Sequence, residues 1–160
     1  MSKRICVVGA GYWGNNHIRT LQGLGALGGI VESNSKTLNM FAHKYPSVKG
    51  YAKLEDALKD NYDAYTVATP AETHYSIAKK IINNSNHILI EKPMALSVEE
   101  AKDLLSLAKD KKISIMVGHV LLFHPAIKKI KNLVNDGVIG ELQYIYSNRL
   151  NLGKIRTEEN

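Results

Sequence analysis

The stretch HILIEKPMALSVEE sets Glu91, Lys92 and Pro93 directly after the apolar run Ile88–Ile90. Two charges at the end of a buried strand are costly unless they pair with each other or act on something else. A second stretch, RICVVGAGYWGNNHIRTL, holds Gly9-Ala10-Gly11-Tyr12-Trp13-Gly14, which has the G-x-G-x-x-G spacing. Alone that spacing is weak, but its setting is stronger. An apolar run precedes it, a helical pattern follows, and Glu32 closes the next apolar run 18 residues after Gly14. Together these read as a dinucleotide site.

Each residue type has a physical job there. Gly9 permits the tight turn, Gly11 lets backbone approach a pyrophosphate, and Gly14 lets the helix lie close to the strand. The first helical turn, with Tyr12 and Trp13, offers unpaired N–H groups and the helix dipole to phosphate. Glu32 is placed to accept hydrogen bonds from the adenosine ribose and to repel a 2′-phosphate, which favours NAD. Ser33, Asn34 and Lys36 keep NADP open as the second choice. The plainer alternative is a glycine-rich turn with no ligand.

A third stretch, YTVATPAETHYSIA, puts Thr69 and Pro70 where a strand passes into a helix. In open α/β sheets ligands bind in the crevice at that edge. His74, one turn into the helix, either lines the nicotinamide half of the crevice or is simply a polar helix residue.

The elements that must position these residues alternate along the chain. Apolar runs at Arg4–Val8, Gly29–Glu32, Ala64–Ala68, Ile88–Ile90 and Ile113–Val117 predict strands. Helical patterns fall at Trp13–Leu24, Lys36–Lys44, Leu54–Lys59, Thr73–Asn84 and Val98–Lys109. In the last, Ala101, Leu104, Leu105 and Ala108 form one apolar face, and Ser97 with Glu100 forms a capping box. Such alternation predicts an α/β fold, a doubly wound parallel sheet covered on both faces. The pattern stops after Val117. Pro125 then opens a helix, Gly137 and Gly140 mark a turn, and ELQYIYSNRL alternates with the period of a half-exposed antiparallel strand. Residues 1–120 are thus expected to form a Rossmann domain, and 121–160 the incomplete start of a second α/β domain with an open sheet.

Bulk composition narrows the partners. An apolar share of 44% against 22% charge is that of an ordinary globular chain, and no apolar run reaches the ~20 residues of a membrane helix. We therefore expect a cytoplasmic protein with no membrane partner. Cys6 is the only cysteine, which excludes an internal disulfide and a cysteine-rich zinc site. His119 and His124 have poor spacing for a metal, so no metal site is expected. The net charge of +6 comes from lysines spread over helical patterns, as at Lys79-Lys80 and Lys109–Lys112, and not from a nucleic-acid motif. The apolar side of LQYIY points to pairing with another chain, which it does not specify, and a homo-oligomer is expected.

GAGYWGNNH, ATPAETH, EKPMA and VGHVLLFHPA before a GEL segment occur in this order over residues 4–150. In them the chain resembles the glucose–fructose oxidoreductase / inositol dehydrogenase (Gfo/Idh/MocA) family, with EKP the most specific element. The resemblance implies a two-domain NAD(P)-dependent oxidoreductase of sugars, inositols and nucleotide sugars. SNRLNLGKIR is similar to members acting on nucleotide-linked sugars. Lys92, partly buried, would then be catalytic, hydrogen-bonding the substrate hydroxyl as hydride leaves for the nicotinamide. Glu91 would contact the nicotinamide ribose or orient Lys92, and Pro93 would aim the turn. An ion pair at a strand end is the structural alternative for Glu91 and Lys92. Arg149 would meet a substrate phosphate or remain a solvated strand residue. The family's further Asp or His pair lies in the second domain beyond its first strand, so this chain alone is expected to bind dinucleotide with little turnover. A non-catalytic NAD-binding sensor or oligomer partner is the rival reading.

Overall fold

A computed structural model describes residues 3–148 and 150. The chain divides into two units, the first extending through His119 and the second beginning at Val120. The first is built from β1 (Ile5–Val8), α1 (Tyr12–Gly23), β2 (Leu27–Val31), α2 (Ser35–Lys44), β3 (Lys49–Tyr51), α3 (Leu54–Ala57), β4 (Ala64–Val67), α4 (Ala71–Asn83), β5 (His87–Ile90), α5 (Val98–Asp110) and β6 (Ile115–Val117). The six strands form one sheet in the order β3-β2-β1-β4-β5-β6, every pair parallel. This is the doubly wound order, with its topological switch between β1 and β4. The strand ends at Val8, Val31, Val67, Ile90 and Val117 therefore share one edge.

Period two sorts the strand side chains into two layers. Cys6, Val8, Tyr65, Val67, Ile88 and Ile90 join Ala78, Ile81 and Ile82 of α4 and Leu104 and Ala108 of α5 in one core. Val7 and Ile30 join Ile18 of α1 and Phe41 of α2 on the opposite face. The second core is the smaller. Among the described residues of the first unit no helix packs on β4–β6 on that face, so this unit's own helices cover both sides of the sheet only in its other half. Leu89 there is half-buried and Met116 is 47% exposed. They help line an apolar groove of about 370 Å³ bordered by His17, Thr20 and Leu21 of α1.

Local chemistry sets the helix starts. Asn34 Oδ1 caps α2, accepting from the N–H groups of Lys36 and Thr37 at 3.0 and 3.1 Å. Ser97 Oγ accepts from Glu100 N–H at 3.1 Å, as its box predicts, while the Glu100 carboxylate reaches the N–H of Leu96 instead of Ser97. The sequence pattern misses β3. Its Lys49-Gly50 pair is exposed and only Tyr51 is buried, so it carries no apolar run.

In the second unit a short 3-10 turn (Val120–Phe123) leads to α6 (Pro125–Asn135). Pro125 occupies the first turn, where its missing N–H costs nothing, and His124 Nδ1 accepts from Ala126 N–H at 3.2 Å. Gly137 and Gly140, at φ 68° and 71°, follow the helix. Residues 142–148 form no strand, contrary to their alternation. Alternation supplies a face, whereas a strand also needs a neighbour for its backbone hydrogen bonds. Arg149 and most of SNRLNLGKIR lie outside the described residues. Among those described, no helix is long and apolar enough to cross a membrane.

Candidate functional site

The loops that follow β1, β2, β4 and β5 meet at the carboxyl edge of the sheet. Gly9 turns the chain there at φ 89°, and a Cβ on it would lie 2.8 Å from the carbonyl oxygen of Ala68. A Cβ on Gly14 would collide with the carbonyl of Gly9, so the helix closes on the loop only because Gly14 has none. Gly11 differs. Nothing lies within 4 Å of where its Cβ would stand. It is the N-cap of α1, with no side-chain capping bond and no acidic residue in the first turn. Open space over an uncapped N-terminus beside a tight turn fits a pyrophosphate. Tyr12 and Trp13, 84% and 44% exposed, stand edge to face with ring centroids 5.9 Å apart on the same turn.

Glu32 is held by two backbone donors. Its Oε2 accepts from Ala10 N–H at 2.9 Å, and its Oε1 from Asn34 N–H at 2.8 Å. The carboxylate thereby ties the glycine loop to the loop before α2. Each oxygen keeps a lone pair for further donors, so ribose hydroxyls fit there. The pinning itself was not foreseen, because a sequence shows spacing but not which N–H groups converge.

Thr69 and Pro70 lead into α4, with Pro70 as its N-cap. The Thr73 hydroxyl lies 2.7 Å from both Thr69 Oγ1 and the carbonyl oxygen of Pro70, fastening this turn. His74 is 1% exposed. Its Nδ1 lies 2.7 Å from the carbonyl oxygen of Pro93, and its Nε2 lies 2.8 Å from that of Thr69. Carbonyls only accept, so a ring protonated at both nitrogens satisfies both while a neutral ring satisfies one. Either way no polar atom of His74 faces outward to a ligand, and the side chain ties the loop after β4 to the loop after β5.

Glu91 is buried, and its partner is not Lys92 Nζ. Its Oε1 accepts from His17 Nε2 at 2.7 Å, and its Oε2 from the backbone N–H of Lys92 at 3.3 Å. Lys92 is exposed where partial burial was expected, and the Lys92–Pro93 peptide bond is cis. The structure thus brings Glu91, Lys92, Pro93, Thr69 and His74 to neighbouring loops of adjacent strands, with the glycine loop on the next strand along. His17 is the member of this edge that the sequence reading missed. Its signal was its place on the first helix, three residues after Gly14, where a side chain returns toward the sheet edge.

Comparison with known proteins identifies the family and the fold. The model of an oxidoreductase family described as having an NAD-binding Rossmann fold matches residues 3–119. A UDP-N-acetylglucosamine 3-dehydrogenase of Acidithiobacillus ferrooxidans is 29% identical over 152 residues, covering 92% of this chain and 45% of that protein. An inositol 2-dehydrogenase of Corynebacterium glutamicum is 31% identical over 146 residues, covering 88% of this chain and 43% of its own length. Among solved structures, GenD2 from gentamicin A biosynthesis, in complex with NAD, superposes with a TM-score of 0.79 at 26% identity. That match covers 86% of this chain and 40% of GenD2. The chain spans less than half the length of these relatives.

Proposed function

Because this chain belongs to the Gfo/Idh/MocA oxidoreductase family, we propose that it is the NAD-binding portion of a dehydrogenase acting on a sugar or nucleotide sugar. The observation that carries the reading is the carboxyl edge of the sheet. An open, uncapped helix start at Gly11 and an exposed ammonium at Lys92 lie on loops separated by a single strand. The relatives named above support the substrate class, being a nucleotide-sugar and an inositol dehydrogenase. The NAD held by GenD2, together with a carboxylate at Glu32 that would repel a 2′-phosphate, supports NAD over NADP.

In this reading the first turn of α1, with Tyr12 and Trp13, holds the pyrophosphate through its N–H groups, and Glu32 takes the adenosine ribose. The nicotinamide supplies the hydride acceptor. Thr69 and Pro70 shape the wall beside it, and Glu91 supports the loop from behind. Lys92 meets the substrate hydroxyl. The carbinol C–H pair would leave as hydride while the O–H proton is relayed past Lys92 to water, so the carbinol is oxidised to a carbonyl. Residues from 121 onward begin the domain that completes the substrate site. This chain by itself binds dinucleotide and turns over little substrate. We place the protein in the cytoplasm as a homo-oligomer, the association being supported by the exposed Ile127 and Ile130 of α6 and by Tyr144 and Tyr146.

NADH fluorescence titration tests the cofactor, and a sugar and nucleotide-sugar screen on this chain and on a longer one tests the reaction. We expect saturable NADH binding here and Lys92-dependent reduction of NAD only in the longer protein. Robust Lys92-dependent turnover by the 160-residue chain would overturn the division of labour. Absence of NADH binding would overturn the cofactor.

A further inference from the structure

Lys92 is exposed, so the direction of its side chain depends on how firmly its backbone is held. Both of its neighbours are held, each by a histidine. Before it, the buried carboxylate of Glu91 is gripped by His17 Nε2 at 2.7 Å. Gly118, after β6, makes room for that carboxylate, since a Cβ there would lie 2.9 Å from Glu91 Oε2. After it, the carbonyl oxygen of Pro93 is met by His74 Nδ1 at 2.7 Å, and the other ring nitrogen is anchored on Thr69 at 2.8 Å. The two histidines come from opposite layers. His17 is on α1, whose Ile18 packs with Val7 and Ile30, and His74 is on α4, whose Ala78, Ile81 and Ile82 pack on the other face.

We propose that His17 and His74 are positioning residues for Lys92, one fixing the residue before it and the other the residue after it from opposite faces of the sheet. This rests on the reading that Lys92 is the group meeting the substrate hydroxyl. A reacting group must stay within about 0.5 Å of its productive place. A displacement of about 1 Å costs on the order of a hundredfold in rate. A loop anchored on one side of Lys92 alone can still pivot about that anchor. Anchors on both sides, fixed to separate helices, remove the pivot. Neither histidine need touch substrate or cofactor for this.

The test is amide NMR of the 160-residue chain titrated with NADH, following Lys92 and Met94 beside the clamp and Gly11 at the helix start. His17→Leu and His74→Phe remove the donors and keep apolar bulk. His17→Gln restores an N–H at similar reach. We expect the NADH-induced shift at Lys92, relative to that at Gly11, to fall on the order of twofold or more in both donor-free variants. His17→Gln should recover it, which a merely structural filler would not do. A native Lys92-to-Gly11 ratio in both variants overturns the proposal. If His74→Phe does not fold, His74→Gln is judged by the same ratio against His74→Gln combined with His17→Leu, which must lower it further. If Gly11 of the native chain ignores NADH, the cofactor reading fails. The clamp is then judged without ligand, where backbone order at Lys92 and Met94 must drop from about 0.85 toward 0.6 in the variants. Unchanged order sinks it.

Discussion

The half of the sheet formed by β3, β2 and β1 and the half formed by β4, β5 and β6 are built to different degrees of closure. In the first half α1 and α2 cover one face, and the glycine loop, Glu32 and the Asn34 cap are tied together by backbone hydrogen bonds. In the second half the helices of the first unit cover only one face. The other carries the groove beside Leu89 and Met116, and Lys92 stands exposed at its edge. A dinucleotide needs little more than a tight turn, a bare helix start and one carboxylate, and the first half supplies all three. Under the function proposed above, chemistry on a substrate would need an enclosed, dry site, and the second half offers an open face instead.

The hardest break of the closed half is Gly14→Val. Its side chain would overlap the Gly9 backbone, and a urea melt should show a loss of about 4 kcal/mol or more, the range of forced overpacking with strain. On the open half the two faces of neighbouring strands should separate cleanly. Ile88→Ala, in the well-covered core, should cost about 3 kcal/mol, whereas Met116→Ala, on the open face, should cost less than about 1 kcal/mol. Equal costs would mean that the groove is covered in solution. Gly11→Asp separates folding from binding in the first half. Aspartate is a good N-cap and should hold or raise the melting temperature. Its charge at the phosphate position should weaken NADH at least about tenfold, or 1.4 kcal/mol.

The mildest perturbation is alkali. Burial pushes the Cys6 thiol up to about 12, and burial raises Tyr51, Tyr62 and Tyr65 as well, with Tyr51 also held protonated by hydrogen bonds to Asp60 and Tyr62. The unfolded chain releases these protons near pH 8.5 for the thiol and about 10 for the phenols. The folded chain therefore holds more protons above pH 9, and stability falls as pH rises through that window. Denaturant midpoints at pH 7, 9 and 10.5 should decline in that order. Native Cys6 should also resist alkylation at pH 8 until the chain unfolds. Rapid labelling of the folded chain would contradict the burial.

Much of this was legible because it is periodic or local. The apolar runs that became β1, β2, β4, β5 and β6, the face of α5 and the Ser97 cap follow from side-chain alternation and from contacts within a few residues. The short β3 was not legible, since its partner β2 lies about one helix away in sequence and its own residues are mostly exposed. For the 142–148 segment alternation misled, because a pattern specifies a face but not a neighbour to pair with.

The same division applies to the site. Sequence alone determined that Gly9, Glu32 and Lys92 stand just past strand ends, and that Gly11 and Gly14 open the helix that follows, because a strand-then-helix alternation with parallel crossovers places every such end on one edge. Only the tertiary structure decided what each polar atom does there. It gave Glu91 to His17 instead of to Lys92 Nζ, and it spent both nitrogens of His74 on the loops after β4 and β5. It also left Lys92 exposed where partial burial is expected. Those outcomes depend on which donors and acceptors converge from helices tens of residues apart. Spacing along a chain carries no record of that convergence; packing in three dimensions creates it.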